Sequence, residues 1–88
     1  MFTGIVQTKL PVRRIDQRED FATLTLAFPP VLLEGLQIGA SVAINGTCLT
    51  VRTISGELVS FDAIAQTLRV TNLGNLRAGD VVNIERAA

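Results

Sequence analysis

The sequence predicts an all-β protein, a small barrel of about six strands joined by short turns, with almost no helix. Several short runs alternate apolar and polar residues, which is the period of a half-buried strand. The pairs Asn45-Gly46 and Ser55-Gly56 separate such runs, and Asn-Gly is a strong signal for a hairpin turn. The 88 residues are enough for one domain with a limited core of its own.

The candidate strands follow one another along the whole chain. In order they are FTGIVQT (2–8), Lys9–Asp16, ATLTLAF (22–28), SVAIN (41–45), TCLTVRTI (47–54), ELVSFDAI (57–64) and VVNIE (81–85). Gly4 allows a bulge or a close backbone approach in the first, and Pro11 restricts the second to an edge or a strand end. VLLEGL (31–36) and AQTLR (65–69) are each long enough for a single helical turn.

Two segments of the chain resemble each other weakly. LQIGASVAIN at residues 36–45 and LRAGDVVNIE at 76–85 share Leu, Gly, Val and Ile at the same offsets. We interpret this as one barrel device used twice, namely a leucine plug, a glycine turn and an entering strand. A duplication is less favoured because the intervening segments do not match.

Charge and composition exclude several classes of function. Eight Lys and Arg residues balance eight Asp and Glu residues, and no basic face is evident. The chain has no Tyr or Trp on which bases could stack, so we expect no nucleic-acid partner. It also has no His, which excludes a Ser-His-Asp triad, a zincin and a zinc finger. We therefore expect no metal site.

The apolar content suggests a buried contact, and the cysteine content suggests a location. Hydrophobic residues make up 48% of the chain and the mean hydropathy is +0.40, so part of this surplus is expected to face a ligand or a second subunit. The apolar runs are too short to span a membrane, and the N-terminus does not read as a signal peptide. A single cysteine, Cys48, favours a reducing, cytoplasmic setting.

Three blocks of sequence together resemble a known family. They are MFTGIV at residues 1–6, GASVAINGTCLTV at 39–51 and TLRVTNLGNLRAGDVVNIERA at 67–87. In this order and spacing they are similar to the amino-terminal half of riboflavin synthase and to the related lumazine proteins. The resemblance extends over essentially the whole chain.

The resemblance implies a six-stranded antiparallel Greek-key barrel formed by residues 1–88 as a single domain. In that family each subunit carries two such barrels, and each barrel binds one 6,7-dimethyl-8-ribityllumazine. The reaction is a dismutation of two lumazines that requires no cofactor, at a site between barrels of different subunits. One barrel is therefore half of a composite site, and a homodimer of identical barrels would imitate the missing pair.

The resemblance also implies which residues would contact a lumazine or a flavin. Such a ligand presents a flat ring, a pyrimidine edge and a ribityl chain, and exposed backbone groups are well suited to the edge. The expected ligand-binding residues are Gly4, Ile5, Val6, Ser41, Cys48, Leu49, Thr50, Asp62, Ala63, Ile64, Gln66 and Thr67. Cys48 and Ser41 are the candidate catalytic residues. The expected ligand is riboflavin or 6,7-dimethyl-8-ribityllumazine, with FMN left open.

Each of these residues also has a purely structural explanation. The segment Gly4–Val6 could be only a strand start, and Cys48 a small buried hydrophobe. Thr50 and Thr67 could be ordinary cross-strand residues, and Asp62 could cap the turn that follows it.

The sequence departs from the family pattern beside the expected ligand. Ala65 and Gln66 stand where the family usually has a charged pair, and Thr47 replaces an apolar residue or a second cysteine. Gln66 can hydrogen-bond to a ribityl chain but cannot act as a base. The loss of charge is compatible with binding and unfavourable for acid–base catalysis.

Three functions remain open from the sequence. The first is a barrel that binds lumazine or riboflavin with little or no turnover. The second is a working riboflavin synthase assembled from identical barrels in a homo-oligomer. The third is a ligand-free assembly module that keeps the barrel only as a scaffold, which would not need to retain all three blocks.

Overall fold

A computed structural model describes residues 8–86 of the chain. Within this range the elements alternate between strands and short helical turns. In chain order they are β1 (Thr8–Gln17), β2 (Phe21–Ala27), α1 (Pro30–Leu33), β3 (Ser41–Ile44), β4 (Thr47–Ser55), β5 (Leu58–Ile64), α2 (Ala65–Val70), a 3-10 helix (Asn72–Asn75) and β6 (Val81–Arg86). The predicted strand at residues 2–8 lies outside the described residues, except for Thr8, where β1 begins.

Six strands of the described range close into an antiparallel barrel in the order β1-β2-β5-β4-β3-β6. Strands β3, β4 and β5 are consecutive neighbours, and β6 returns to lie beside β3. Three hairpin-connected strands with a fourth beside the first define a Greek key. The predicted all-β, six-stranded Greek-key barrel with two short α-helical turns is therefore confirmed.

The barrel interior is filled by one alternate set of side chains from each strand. On β2 the residues Leu24 and Leu26 point inward, and Val59 and Phe61 do so on β5. The Phe28 and Phe61 ring centroids are 5.9 Å apart and the ring planes are tilted, an arrangement that aromatic pairs prefer. The other fully buried large side chains are Ile44, Ile84, Val12, Val42, Val51 and Val82.

Strand β1 forms a corner of the barrel. Its first half pairs with β6 and its second half pairs with β2, with a register shift between Val12 and Arg14. Pro11 stands opposite Val81, the first residue of β6, at the end of that ladder. A proline cannot donate a backbone hydrogen bond to a ladder, and a closed barrel has no edge strand in which it could lie. Pro11 is therefore accommodated at the end of a ladder.

The two similar segments form the same local structure. The Gly39 amide donates to Val51 O at 2.9 Å, and the Gly79 amide donates to Val12 O at 2.8 Å. Both glycines have a positive φ, 93° and 96°, which a residue with a Cβ rarely adopts. The next strand enters the barrel directly after each of these turns, as expected for a repeated barrel device.

The Asn45-Gly46 turn joins β3 to β4 as predicted. Both residues have a positive φ, 50° and 80°, which is the requirement of a type I′ turn. The Asn45 side chain also reaches β6, where its Oδ1 accepts a hydrogen bond from Asn83 N at 2.8 Å. The hairpin is thus fixed to a strand that is remote in sequence.

None of the helices in residues 8–86 is long and apolar enough to cross a membrane.

Candidate ligand site

Five of the nine predicted site residues that the structure describes lie on the outward-facing side of β3, β4 and β5, here called the outer face. Ser41 on β3 is opposite Thr50 on β4. Thr50 and Asp62 are each one residue from the Val51–Phe61 pair of the β4–β5 ladder, whose side chains point into the core. Since side chains alternate along a strand, Ser41, Thr50 and Asp62 form a polar row across three strands.

A second row lies one step closer to the hairpin turn and to α2. Cys48 is opposite Ala43 on β3. Ile64 is two residues beyond Asp62 on β5, so it shares the outward orientation. Cys48 and Ile64 are both exposed, and they give this row a less polar character than the row beside it.

The Asp62 carboxylate is held by two neighbouring strands. Its Oδ1 accepts a hydrogen bond from Thr23 Oγ1 on β2 at 2.7 Å. Its Oδ2 lies 3.4 Å from Arg52 Nε on β4. The alternative that Asp62 caps the following turn is wrong, because α2 begins after Ile64 without any side-chain cap.

Leu49 and Ala63 point the other way. Their side chains are buried in the core, with exposed fractions of 5% and 1%. Either residue can therefore reach a ligand on the outer face only through its backbone. A backbone contact from these residues to the edge of the ligand stays a prediction.

Gln66 and Thr67 lie on α2, which starts directly after Ile64. Gln66 is exposed and Thr67 is half-buried. The Thr67 carbonyl accepts hydrogen bonds from Thr71 Oγ1 at 2.6 Å and from Thr71 N at 3.1 Å, which closes the end of the helix. The Ala65 amide donates to Asp20 O at 2.8 Å and ties the start of α2 to the β1–β2 turn.

The two candidate catalytic residues differ in their exposure. Cys48 is a free, exposed cysteine, so the alternative that it fills the core is wrong. Ser41 is half-buried and stands opposite Thr50, in the row next to Cys48. Gly4, Ile5 and Val6 lie outside the described residues.

Sequence reasoning missed Thr23 and Arg52. Thr23 was seen only as the polar side of an alternating strand, and its position beside Asp62 depends on the pairing of β2 with β5. That pairing joins residues 39 apart in the chain, so no local pattern indicates it. Arg52 lies at a register shift in the β4–β5 ladder, which was not predicted either.

A pocket of about 540 Å³ lies in a different part of the barrel. It is lined by Ile15 and Gln17 of β1 and by the loop at residues 74–78. None of the predicted ligand-binding residues within the described range 8–86 contributes to it. The outer face is identified by the chemistry of its described side chains. Among the described residues, no group of three His, Cys, Asp or Glu side chains could hold a metal ion.

Together these features define a class of protein: a small Greek-key barrel with a hydroxyl- and carboxylate-bearing outer face. The chain belongs to the lumazine binding domain family, whose model matches residues 3–87. It is a lumazine-binding domain homologous to one half of riboflavin synthase. The resemblance found in the three sequence blocks is therefore confirmed.

Several riboflavin synthases are similar to this chain over its full length. The Escherichia coli K12 enzyme is 54% identical over 88 residues, which cover 100% of this chain and 41% of that protein. The enzyme of Mycobacterium tuberculosis H37Rv is 43% identical over 90 residues, covering 100% of this chain and 44% of that protein. The chain thus spans less than half the length of these relatives.

Solved structures of the lumazine protein LumP share the fold. LumP complexed with 6,7-dimethyl-8-(1'-D-ribityl) lumazine has a TM-score of 0.91 and 35% identity, covering 100% of this chain and 49% of that one. LumP complexed with riboflavin has a TM-score of 0.90 and 36% identity, covering 98% and 46%. LumP complexed with flavin mononucleotide has a TM-score of 0.89 and 37% identity, covering 98% and 49%.

Proposed function

We propose that this chain binds riboflavin or 6,7-dimethyl-8-ribityllumazine on the outer face. The observation that carries the proposal is the polar row of Ser41, Thr50 and Asp62, with the less polar row of Cys48 and Ile64 beside it. Hydroxyl and carboxylate groups suit the ribityl chain, and the less polar row suits the flat ring. The lumazine and flavin ligands of LumP, to which the chain is similar, support this choice.

Binding with little or no turnover is favoured over catalysis. The 88 residues correspond to 41% of the E. coli enzyme, so the activity of that whole enzyme is not carried over to them. Beside the outer face, Ala65 and Gln66 offer no group that could act as a base. The second candidate, a riboflavin synthase made of identical barrels, would depend on Cys48 and Ser41.

The proposed partner is a second copy of the same chain. Several large apolar side chains are exposed on the described surface, among them Val31, Ile38, Ile64 and Val70. A contact with a second barrel would remove part of this surface from water.

We further propose that residues 1–88 form one folded unit, and that the single free cysteine reflects a cytoplasmic, reducing location.

Equilibrium titration tests the binding proposal. Riboflavin and the lumazine are titrated with dialysed protein, and their own fluorescence is followed. Since the chain has no Tyr or Trp to quench a bound flavin, we expect saturable binding with emission retained. Absence of saturable binding for both ligands would refute the proposal and favour the scaffold function.

A steady-state assay separates the binder from the enzyme. The protein is incubated with the lumazine, and formation of riboflavin is followed by its visible absorbance. We expect little or no riboflavin. Rapid formation that is abolished in both Cys48→Ala and Ser41→Ala would establish the alternative function instead.

A further inference from the structure

Arg52 places a positive charge beside the polar row on the outer face, next to Asp62. We infer that this residue makes the site accept a ribityl chain that ends in a phosphate monoester, so that FMN-type ligands bind as well as unphosphorylated flavins. The inference rests on the proposed function, because it concerns the same face and the same ligand class. It assigns the selectivity for the phosphate group to one side chain.

The ladder between β4 and β5 brings Arg52 to this face. The register passes from Val51–Phe61 to Thr53–Ser60, so residues 52 and 53 together oppose a single step of β5. Such a bulge redirects side chains locally. Thr53 Oγ1 contacts Ser60 Oγ, and Arg52 contacts Asp62, so both residues of the bulge point outward.

The rows of the outer face then follow the order of groups in a flavin mononucleotide. Cys48, Thr50 and Arg52 succeed one another along β4, and alternate residues of a strand are about 6.6 Å apart. A ring near Cys48 and a ribityl chain near Thr50 direct the end of that chain toward Arg52. The terminal phosphate would therefore lie where the guanidinium is.

Electrostatics explains why Arg52 is needed for a phosphorylated ligand. The Asp62 carboxylate alone would repel a phosphate at the end of the polar row. The guanidinium lies 3.4 Å from that carboxylate and offsets its charge. The ion pair is partly exposed, with side-chain exposed fractions of 54% and 37%, so it holds the guanidinium only weakly. Arg52 can turn toward a phosphate, for which its planar donors are well suited.

The test compares riboflavin with FMN as fluorescent probes on three forms of the full chain. They are the wild type, Arg52→Gln, which removes the charge, and Arg52→Lys, which keeps it. Arg13→Gln is the matched control, because β1 lies across the barrel from β4 and Arg13 is exposed there. Thermal unfolding of each variant verifies that the barrel is intact.

We expect the wild type to bind both probes, and FMN binding to weaken more steeply than riboflavin binding as salt is added. Arg52→Gln should weaken FMN about tenfold or more, the loss of one charge-assisted contact, while changing riboflavin far less. Arg52→Lys should retain most of the FMN affinity, and Arg13→Gln should change neither.

The remaining outcomes separate a failure of this inference from a failure of the proposed function. If the wild type binds riboflavin but Arg52→Gln weakens both probes equally, or neither, the role of Arg52 is refuted and the proposed binding function stands. The same holds if the wild type binds riboflavin and not FMN. If the wild type binds neither probe, the proposed function is refuted, and this inference with it.

Discussion

At the scale of single residues, the outer face depends on side chains that neighbouring strands hold in place. Asp62 is the central example, since Thr23 from β2 and Arg52 from β4 contact its two carboxylate oxygens. A carboxylate fixed in this way can accept hydrogen bonds from ribityl hydroxyls without first losing side-chain freedom. Its charge and its fixed position together suit it to this contact.

Replacement of Asp62 tests this role directly. Asp62→Asn keeps the shape of the side chain and an oxygen for Thr23, but removes the charge. We expect riboflavin to bind about tenfold more weakly or worse, because a hydrogen bond to a charged group contributes ~1.5–3 kcal/mol. Glu57→Gln, at an exposed turn position, is the control and should bind normally. Unchanged affinity in Asp62→Asn would exclude Asp62 as a ligand contact.

Cys48 offers a second probe at this scale. It is the chain's only cysteine and is exposed, so a thiol-alkylating reagent should label it at a single site. If the ligand covers the outer face, saturating riboflavin should slow this labelling, as mass spectrometry of the intact protein would show. Labelling at the same rate with and without bound riboflavin would place the ligand elsewhere.

At the scale of elements, two contacts hold the strands and helices around the outer face in register. The Asn45 side chain accepts from Asn83 N, and the Asn45 amide donates to Asn83 O at 2.9 Å, so the β3–β4 hairpin is attached to β6. On the other side, α2 packs against the 3-10 helix that follows it. The Asn45–Asn83 contact involves no proposed binding residue, whereas α2 carries Gln66 and Thr67.

We expect Asn45→Ala to lower the free energy of unfolding by about 1–3 kcal/mol, because Asn83 N loses its acceptor and alanine fits the positive φ poorly. Chemical denaturation measures the change. Asn75→Ala, at the exposed end of the 3-10 helix, is the matched control and should be close to neutral. Equal stability of the two variants would argue against the hairpin contact.

Gly74 allows the close packing between α2 and the 3-10 helix. A Cβ placed there would lie 2.6 Å from Leu68 O, a backbone atom that cannot move aside cheaply. We expect Gly74→Ala to destabilise the barrel by about 1–3 kcal/mol, as overpacking does. Because α2 carries Gln66 and Thr67, riboflavin affinity should fall as well. A variant as stable as the wild type by thermal unfolding would contradict this account.

At the scale of the whole molecule, the balance between core and surface underlies the proposed self-association. A barrel of 88 residues has a small interior, and Val31, Val70 and Val81 remain at least 60% exposed in the described structure. Exposed apolar side chains of this size favour contact with another protein surface when they form a contiguous patch. A second copy of the chain is the proposed partner.

Sedimentation equilibrium tests the oligomeric state. We expect a mass of twice the 9.4 kDa of one chain at micromolar concentrations, with or without riboflavin. The dimer fractions of Val70→Ser and Val31→Ser are compared with that of the wild type, since each variant exposes less apolar surface and leaves the core unchanged. A single species of 9.4 kDa at all concentrations would exclude the dimer.

The barrel, its turns and its family are predictable from the amino-acid sequence alone. Alternation along Phe21–Ala27 and the Asn45-Gly46 pair are local signals, and local signals fix which residues point inward and where the chain reverses. The family blocks added the residues expected at the ligand. These blocks carried that information because their order and spacing are specific.

Which of those residues meet, and which neighbours support them, is visible only in the folded barrel. Thr23, Arg52 and Asp62 come from three strands, and their contact follows from the pairing of β2 with β5 and from a bulge in β4. Such pairings depend on how the whole barrel closes. The free energy of these long-range pairings is shared among all the strands, so no single segment of the chain indicates which strands pair.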